Sequence, residues 1–126
     1  MVIVPQKSTI KAAFKTCGNC GTCWKTRSEF IECNSISLAG YQSNFEKIEE
    51  GMFLFNHKID TCGSTLAIPV RKFDDLYEGE RYPEPKYGRE ECLKRCIDRY
   101  NLERCDQNCK YAYVREILQI LRRSKG

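Results

Sequence analysis

Nine cysteines and one histidine are the residues of this chain best suited to chemistry. They divide into two groups of four and one outlier. The first group is Cys17-Gly-Asn-Cys20-Gly-Thr-Cys23, with Cys33 ten positions further on. The second is Cys92-Leu-Lys-Arg-Cys96, then eight residues, then Cys105-Asp-Gln-Asn-Cys109. Cys62 stands apart, five residues after the single histidine, His57. Thiolates bind zinc and build iron–sulfur clusters. With so little histidine and methionine, soft-metal chemistry here has to be mostly thiolate.

The first group admits two metals. Successive C-x2-C spacings match part of the ferredoxin run, in which thiolates reach separate corners of a [4Fe–4S] cube. The C-x3-C-P tail of that run is missing, because Trp24-Lys-Thr-Arg27 follows Cys23. Cys17-Gly-Asn-Cys20-Gly also reads as a metal knuckle, its glycines permitting positive φ and freeing amides to face sulfur. On that reading Cys17, Cys20, Cys23 and Cys33 hold a tetrahedral zinc, with Cys62 and His57 as alternative ligands. Zinc is preferred, and [4Fe–4S], chiefly at Cys17, Cys20 and Cys23, is the alternative.

In the second group, Cys92 and Cys96 are four apart on an expected helix, so their sulfurs share a face. Cys105 precedes Asp106, an expected N-cap, which places Cys109 in a first helical turn where the thiolate is favoured. Cys92, Cys96, Cys105 and Cys109 therefore read as a second closed zinc site. The paired C-x3-C pattern also resembles the disulfide-linked helical hairpins of small mitochondrial import chaperones, over residues 92–109. That resemblance implies Cys92 facing Cys109 and Cys96 facing Cys105, as disulfides rather than metal ligands.

An enzymatic reading takes Cys62 as nucleophile, His57 as base and amides near Gly63-Ser64 as an oxyanion site. The preferred reading is non-catalytic: cysteine is commonly buried, and the adjacent pairs Glu49-Glu50, Asp74-Asp75 and Glu90-Glu91 diverge on any regular element. Neither a phosphate-binding glycine loop nor an H-E-x-x-H motif is present.

The elements that must position these residues are short. The chain opens with a basic lead-in over 1–16, with a strand expected at Val2 to Val4. A strand-like alternation runs from Phe30 to Leu38. Asn44 is placed to cap a short helix carrying Phe45 and Ile48 and stopped by Gly51. Met52 to Phe55 and Leu66 to Val70 read as strands, and Phe73 to Glu78 as one helical turn. Residues 79–88, with two prolines between two glycines, form the expected linker. Beyond it, Leu93, Cys96, Ile97 and Tyr100 share a helical face, as do Val114, Ile117, Leu118 and Leu121. The second of these helices is expected from Asp106 to about Arg123.

These elements predict an α+β fold: a short antiparallel sheet in the N-terminal two thirds, then two C-terminal helices, all metal-stabilised. The divisions are 1–16, a Cys-rich loop and small sheet over 17–78, the linker 79–88 and a helical Cys-rich segment over 89–126. Residues 17–126 are expected to form one compact unit.

The chain has 126 residues and a formal net charge of +4. No apolar run approaches the roughly 18 residues of a membrane span. Lysines at 7, 11 and 15 interrupt the opening segment, which excludes a secretory signal there and implies a cytoplasmic, reducing location. Residues 1–28 carry five Lys or Arg and no acid, and 110–126 carry five against one Glu. Phe14 and Trp24 lie among the first of these, a pattern that could contact phosphates. Each site of four thiolates around zinc or an oxidised cubane has a formal charge of about −2, so the basic excess also serves as counter-charge. The expected function is a zinc-stabilised protein-interaction or regulatory module with two four-cysteine sites and a protein partner. An iron–sulfur electron-transfer or redox-sensing protein is the alternative, and a nucleic-acid-binding zinc protein the second alternative.

Overall fold

The computed structural model describes residues 13–124, so the expected strand at Val2 to Val4 lies outside the described residues. A two-residue ribbon comes first, β1 (Lys15–Thr16) antiparallel to β2 (Cys23–Trp24). Helix α1 (Arg27–Glu32) follows. Next comes a three-stranded antiparallel sheet in the order β3 (Ile36–Gln42), β4 (Met52–His57), β5 (Thr65–Pro69). Two 3-10 turns, Val70–Lys72 and Asp74–Leu76, lead to a long irregular segment, and helix α2 (Ala112–Ser124) ends the described chain.

Side-chain alternation in β4 and β5 decides what faces inward. Phe53, Phe55 and His57 are buried while Met52, Leu54 and Asn56 are only half covered. Leu66 and Ile68 supply the matching positions of β5. This is the period of two that a sheet with one covered face requires. β3 breaks the period with a bulge at Ala39, between Leu38 and Gly40, which re-aims the strand so that Tyr41 faces the interior.

The core is aromatic. Phe30 of α1 stands edge-on to Phe55 at 4.9 Å and Trp24 meets Phe30 at 5.2 Å, while Phe53 and Phe73 lie 5.6 Å apart. Each such pair adds about 0.5–1.5 kcal/mol beyond area burial. Val114, Ile117, Leu118 and Leu121 of α2 are all buried, as their spacing predicts.

Several expectations need correction. Residues 27–32 are helical where a strand was expected from Phe30, because Thr26 and Glu29 cap that turn. Thr26 Oγ1 accepts from the Glu29 amide at 3.1 Å, and Glu29 accepts from the Lys25 amide at 2.8 Å. Asn44 does accept from the amides of Glu46 and Lys47, but this closes a turn ahead of the helix; the helix itself is a single 3-10 turn, Ile48–Glu50, that follows Lys47 and ends at Gly51. The turn expected over Phe73 to Glu78 is the 3-10 turn Asp74–Leu76.

The expected helix through Cys92 and Cys96 is replaced by successive turns. Other elements engage the carbonyls of this stretch: Arg99 O accepts from the Tyr41 amide, and Arg95 O and Asn101 O from Arg115. Lys94 takes φ +61, and Ile97 and Tyr100 of the expected apolar face are 65% and 71% exposed. Helix α2 starts at Ala112 rather than at Asp106, since the Cys109 and Lys110 amides, which a helix from Asp106 would turn to its own carbonyls, bond Gln107 O and Glu84 O, each at 2.8 Å.

Candidate metal centre

Cys17 lies just past β1, in the loop that turns the ribbon back. Its N–H bonds Thr22 O at 2.8 Å, and its carbonyl accepts from Gly21 N at 2.9 Å. Gly21 has φ +83, a backbone state that a side chain would strain. This tight loop holds Cys17 and Cys20 on one side of the ribbon. Cys23 is in β2, where the alternation turns Trp24 inward and leaves Cys23 exposed.

His57 ends β4 on the same face as Phe53 and Phe55, and is 1% exposed. Trp24 packs edge-on against its ring at 5.0 Å. The loop after β4 is closed by His57 N to Ser64 O (2.8 Å) and Gly63 N to His57 O (3.1 Å), with Gly63 at φ +78. That closure brings Cys62 back beneath the strand end.

Cys17, Cys20, His57 and Cys62 thus converge, their ligand atoms all within 4.8 Å of one another. The Cys17 and Cys62 sulfurs are 3.5 Å apart, and Cys20 Sγ is 3.7 Å from His57 Nδ1. A tetrahedral site with zinc–sulfur bonds of about 2.3 Å sets sulfurs about 3.8 Å apart, so the observed spacing matches one ion.

Local donors favour the thiolate forms. Cys62 is held down to about 5, first by the Ser64 hydroxyl, then by the Asn19 side chain and the Ser64 amide. The contacts are 3.2 Å to Ser64 Oγ, 3.5 Å to Asn19 Nδ2 and 3.4 Å to Ser64 N. The Cys20 amide, opposed by burial, holds Cys17 below the ordinary thiol range. Burial works to lower His57, but hydrogen bonds to the Cys17 and Cys62 sulfurs outweigh it and leave the imidazole above its ordinary value. Three thiols and an imidazole arranged in this way can take up one soft or borderline divalent ion and release protons as they do so.

Cys33 caps the end of α1, and its Sγ lies 3.1 Å from Ser35 Oγ, outside this group. Of the first sequence group, then, the structure brings together Cys17 and Cys20, and it joins them to the alternative ligands His57 and Cys62. The signal for that pairing was present in three Cys-Gly steps, Cys17-Gly18, Cys20-Gly21 and Cys62-Gly63, the last two with glycine at positive φ.

The second group gathers differently. Cys92, Cys96, Cys105 and Cys109 all border one cavity of about 30 Å³, with Tyr87, Tyr111 and Arg115 also on its wall. Cys109 Sγ accepts from the amides of Lys86 (3.2 Å) and Tyr111 (3.4 Å), and Cys92 Sγ from Lys94 N (3.3 Å). Burial pushes the Cys96 thiol up to about 11, with the Arg115 guanidinium opposing. No disulfide joins any of these cysteines.

No family model, curated protein or solved structure matches this chain. No helix among the described residues is long and apolar enough to cross a membrane.

Proposed function

We propose that the chain is a non-catalytic, zinc-stabilised module in which Cys17, Cys20, His57 and Cys62 hold one Zn²⁺. The observation that carries this reading is the convergence of four ligand atoms from two distant loops to within 4.8 Å. Three thiolates and an imidazole form a closed set typical of structural zinc, whereas catalytic zinc keeps an open position. Iron–sulfur cubanes take four cysteines, so the imidazole favours zinc here. Cys62 and His57, offered by the sequence as nucleophile and base, are spent as ligands. The ion clasps the β1–β2 ribbon to the end of β4 and closes a 45-residue separation between Cys17 and Cys62. In a chain this small, metal binding contributes folding free energy directly.

Zinc analysis of the full chain tests the proposal. One zinc per chain, lost in Cys17→Ser and Cys62→Ser, is expected. A cooperative fold with unchanged thermal stability after strong chelation overturns it.

Reduced thiolates imply a reducing compartment such as the cytoplasm. Leu93, Ile97 and Tyr100 are exposed at 45%, 65% and 71%, and this supports a protein partner docking on the irregular segment. Such a partner should be lost from the tagged chain in Ile97→Asp/Tyr100→Ala; undiminished co-purification sinks the docking surface. Nucleic-acid binding has less support. Of the C-terminal basic residues, Arg115 is buried on backbone carbonyls and Arg122 bonds Leu102 O at 2.9 Å.

A further inference from the structure

The cavity bordered by Cys92, Cys96, Cys105 and Cys109 has the features of a cofactor site whose requirements differ from those of the zinc clasp. Four cysteines from two turn segments face one space. Ordinary packing leaves few voids larger than a water molecule. Here the space is about 30 Å³, whereas one water needs only about 10–15 Å³ on this measure.

The second group is not a tight single-ion set of the kind the first one is. Among the described residues, Cys17, Cys20, His57 and Cys62 are the set whose ligand atoms fall within 4.8 Å of one another; the second group does not join them. A single zinc draws its four sulfurs to about 3.8 Å separations. A cubane instead places each thiolate on its own iron at a separate corner, so it needs wider spacing and a void at the centre.

Backbone amides already point at two of the four sulfurs. Cys92 accepts from the amide two residues on, Lys94 N, and Cys109 from the amide two residues on, Tyr111 N. Cys62 in the zinc clasp accepts from Ser64 N with the same offset. Lys86 N adds a second donor to Cys109. Amide hydrogen bonds to sulfur stabilise the anionic form and tune a cluster.

Arg115 supplies the remaining observation. It is 0% exposed and borders the cavity. Its guanidinium donates to neutral acceptors: Glu103 O at 2.9 Å, Asn101 O at 2.6 Å, Asn101 Oδ1 at 3.2 Å and Arg95 O at 3.4 Å. A buried cation whose partners are carbonyl-type oxygens and the Cys96 thiol, with no carboxylate among them, is costly unless an anion lies nearby. Four thiolates around an oxidised [4Fe–4S] core carry a formal charge of about −2, which supplies that anion.

We infer that Cys92, Cys96, Cys105 and Cys109 bind a [4Fe–4S] cluster in this cavity, with Arg115 as its buried counter-charge. This goes beyond the zinc clasp and does not depend on it, since the two sites share no ligand.

The test is elemental analysis of the full chain purified anaerobically after reconstitution with ferrous iron and sulfide, alongside three variants. About four iron and four sulfide per chain, with a visible sulfur-to-iron charge-transfer band that bleaches on reduction, are expected. Cys96→Ser and Cys109→Ser should lose the iron and the band while keeping the zinc, which shows that each variant still folds. Cys62→Ser should lose zinc while the band persists, so a failure of the zinc clasp is read separately. Two zinc per chain with neither iron nor sulfide overturns the cluster, as does iron that survives Cys96→Ser. Two disulfides among these cysteines in the anaerobic protein, counted by thiol titration and mass, overturn it as well.

Discussion

The two cysteine-rich regions differ in how the fold holds them. The clasp of Cys17, Cys20, His57 and Cys62 rests on regular structure: a ribbon on one side and the end of a core strand on the other. Its ligands are already close enough for one ion. The second region has no strand or helix under most of its length, and its four cysteines line one cavity. Its shape depends on Arg115, on Gly40 and on amide bonds to sulfur. A tight set of ligands built on a sheet suits a small ion, whereas a ring of ligands on turns suits a larger group. Equal counts of cysteine therefore do not imply equal sites.

The largest expected effect breaks the first region. Cys17→Ser removes a buried ligand and should abolish zinc binding, detach the ribbon and cost several kcal/mol of the roughly 10 kcal/mol that a structural zinc can contribute. Thermal denaturation with and without zinc checks this. A variant as stable as the parent would mean the ribbon is held by Trp24 and Phe30 alone.

The second region should break at Arg115. Arg115→Met leaves the carbonyls of Asn101 and Glu103 without their Arg115 donor and should cost about 3 kcal/mol. Hydrogen exchange should show the loss over residues 95–103, with the zinc clasp still protected. Equal loosening of both regions would contradict their independence.

Gly40 is where β3 meets the second region. A Cβ there would lie 2.8 Å from Arg99 O, the carbonyl that accepts from Tyr41 N. Gly40→Ala should push the 92–101 segment off β3 at a cost of about 1–3 kcal/mol, measurable by denaturant titration, without loss of zinc.

A smaller effect belongs to Asp75, which pairs with Arg27 of α1 at 2.5 Å. Hydrogen bonding to that guanidinium holds the Asp75 carboxyl below its ordinary value. Its contribution is therefore present above the ordinary carboxylate pKa and is lost as pH falls through the lowered one. Asp75→Asn should lower stability slightly at neutral pH, and the difference should vanish in acid. Thermal melts across that range decide the matter.

Cys23→Ser should change least, within about 0.5 kcal/mol, and zinc content should be unaltered. Loss of zinc in this variant would return Cys23 to the ligand set.

Much of the fold was legible in the residues. The β4 and β5 strands announced themselves by alternation, and α2 by its apolar spacing. Helix α1 went unread although Thr26-Arg-Ser-Glu29 is a capping pattern, because six residues carry little periodicity. The missing helix over 92–100 shows the reverse error: a good apolar spacing lost to tertiary hydrogen bonds from Tyr41 and Arg115.

The site was legible in type more than in membership. Three cysteines at equal spacing put Cys23 in the set with Cys17 and Cys20, but strand pairing decided otherwise. In β2 adjacent side chains point to opposite faces, so burying Trp24 exposes Cys23. His57 entered by the same rule, sharing a face with Phe53 and Phe55. The sequence by itself determined that soft ligands occur in clusters, that Cys17, Cys20 and Cys62 each precede a glycine, and that a small sheet and a terminal helix accompany them. Only the tertiary structure decided which sulfurs meet. Contacts such as Cys17 with Cys62 depend on where a ribbon and a strand end are packed, and spacing along a chain does not encode distance across a core.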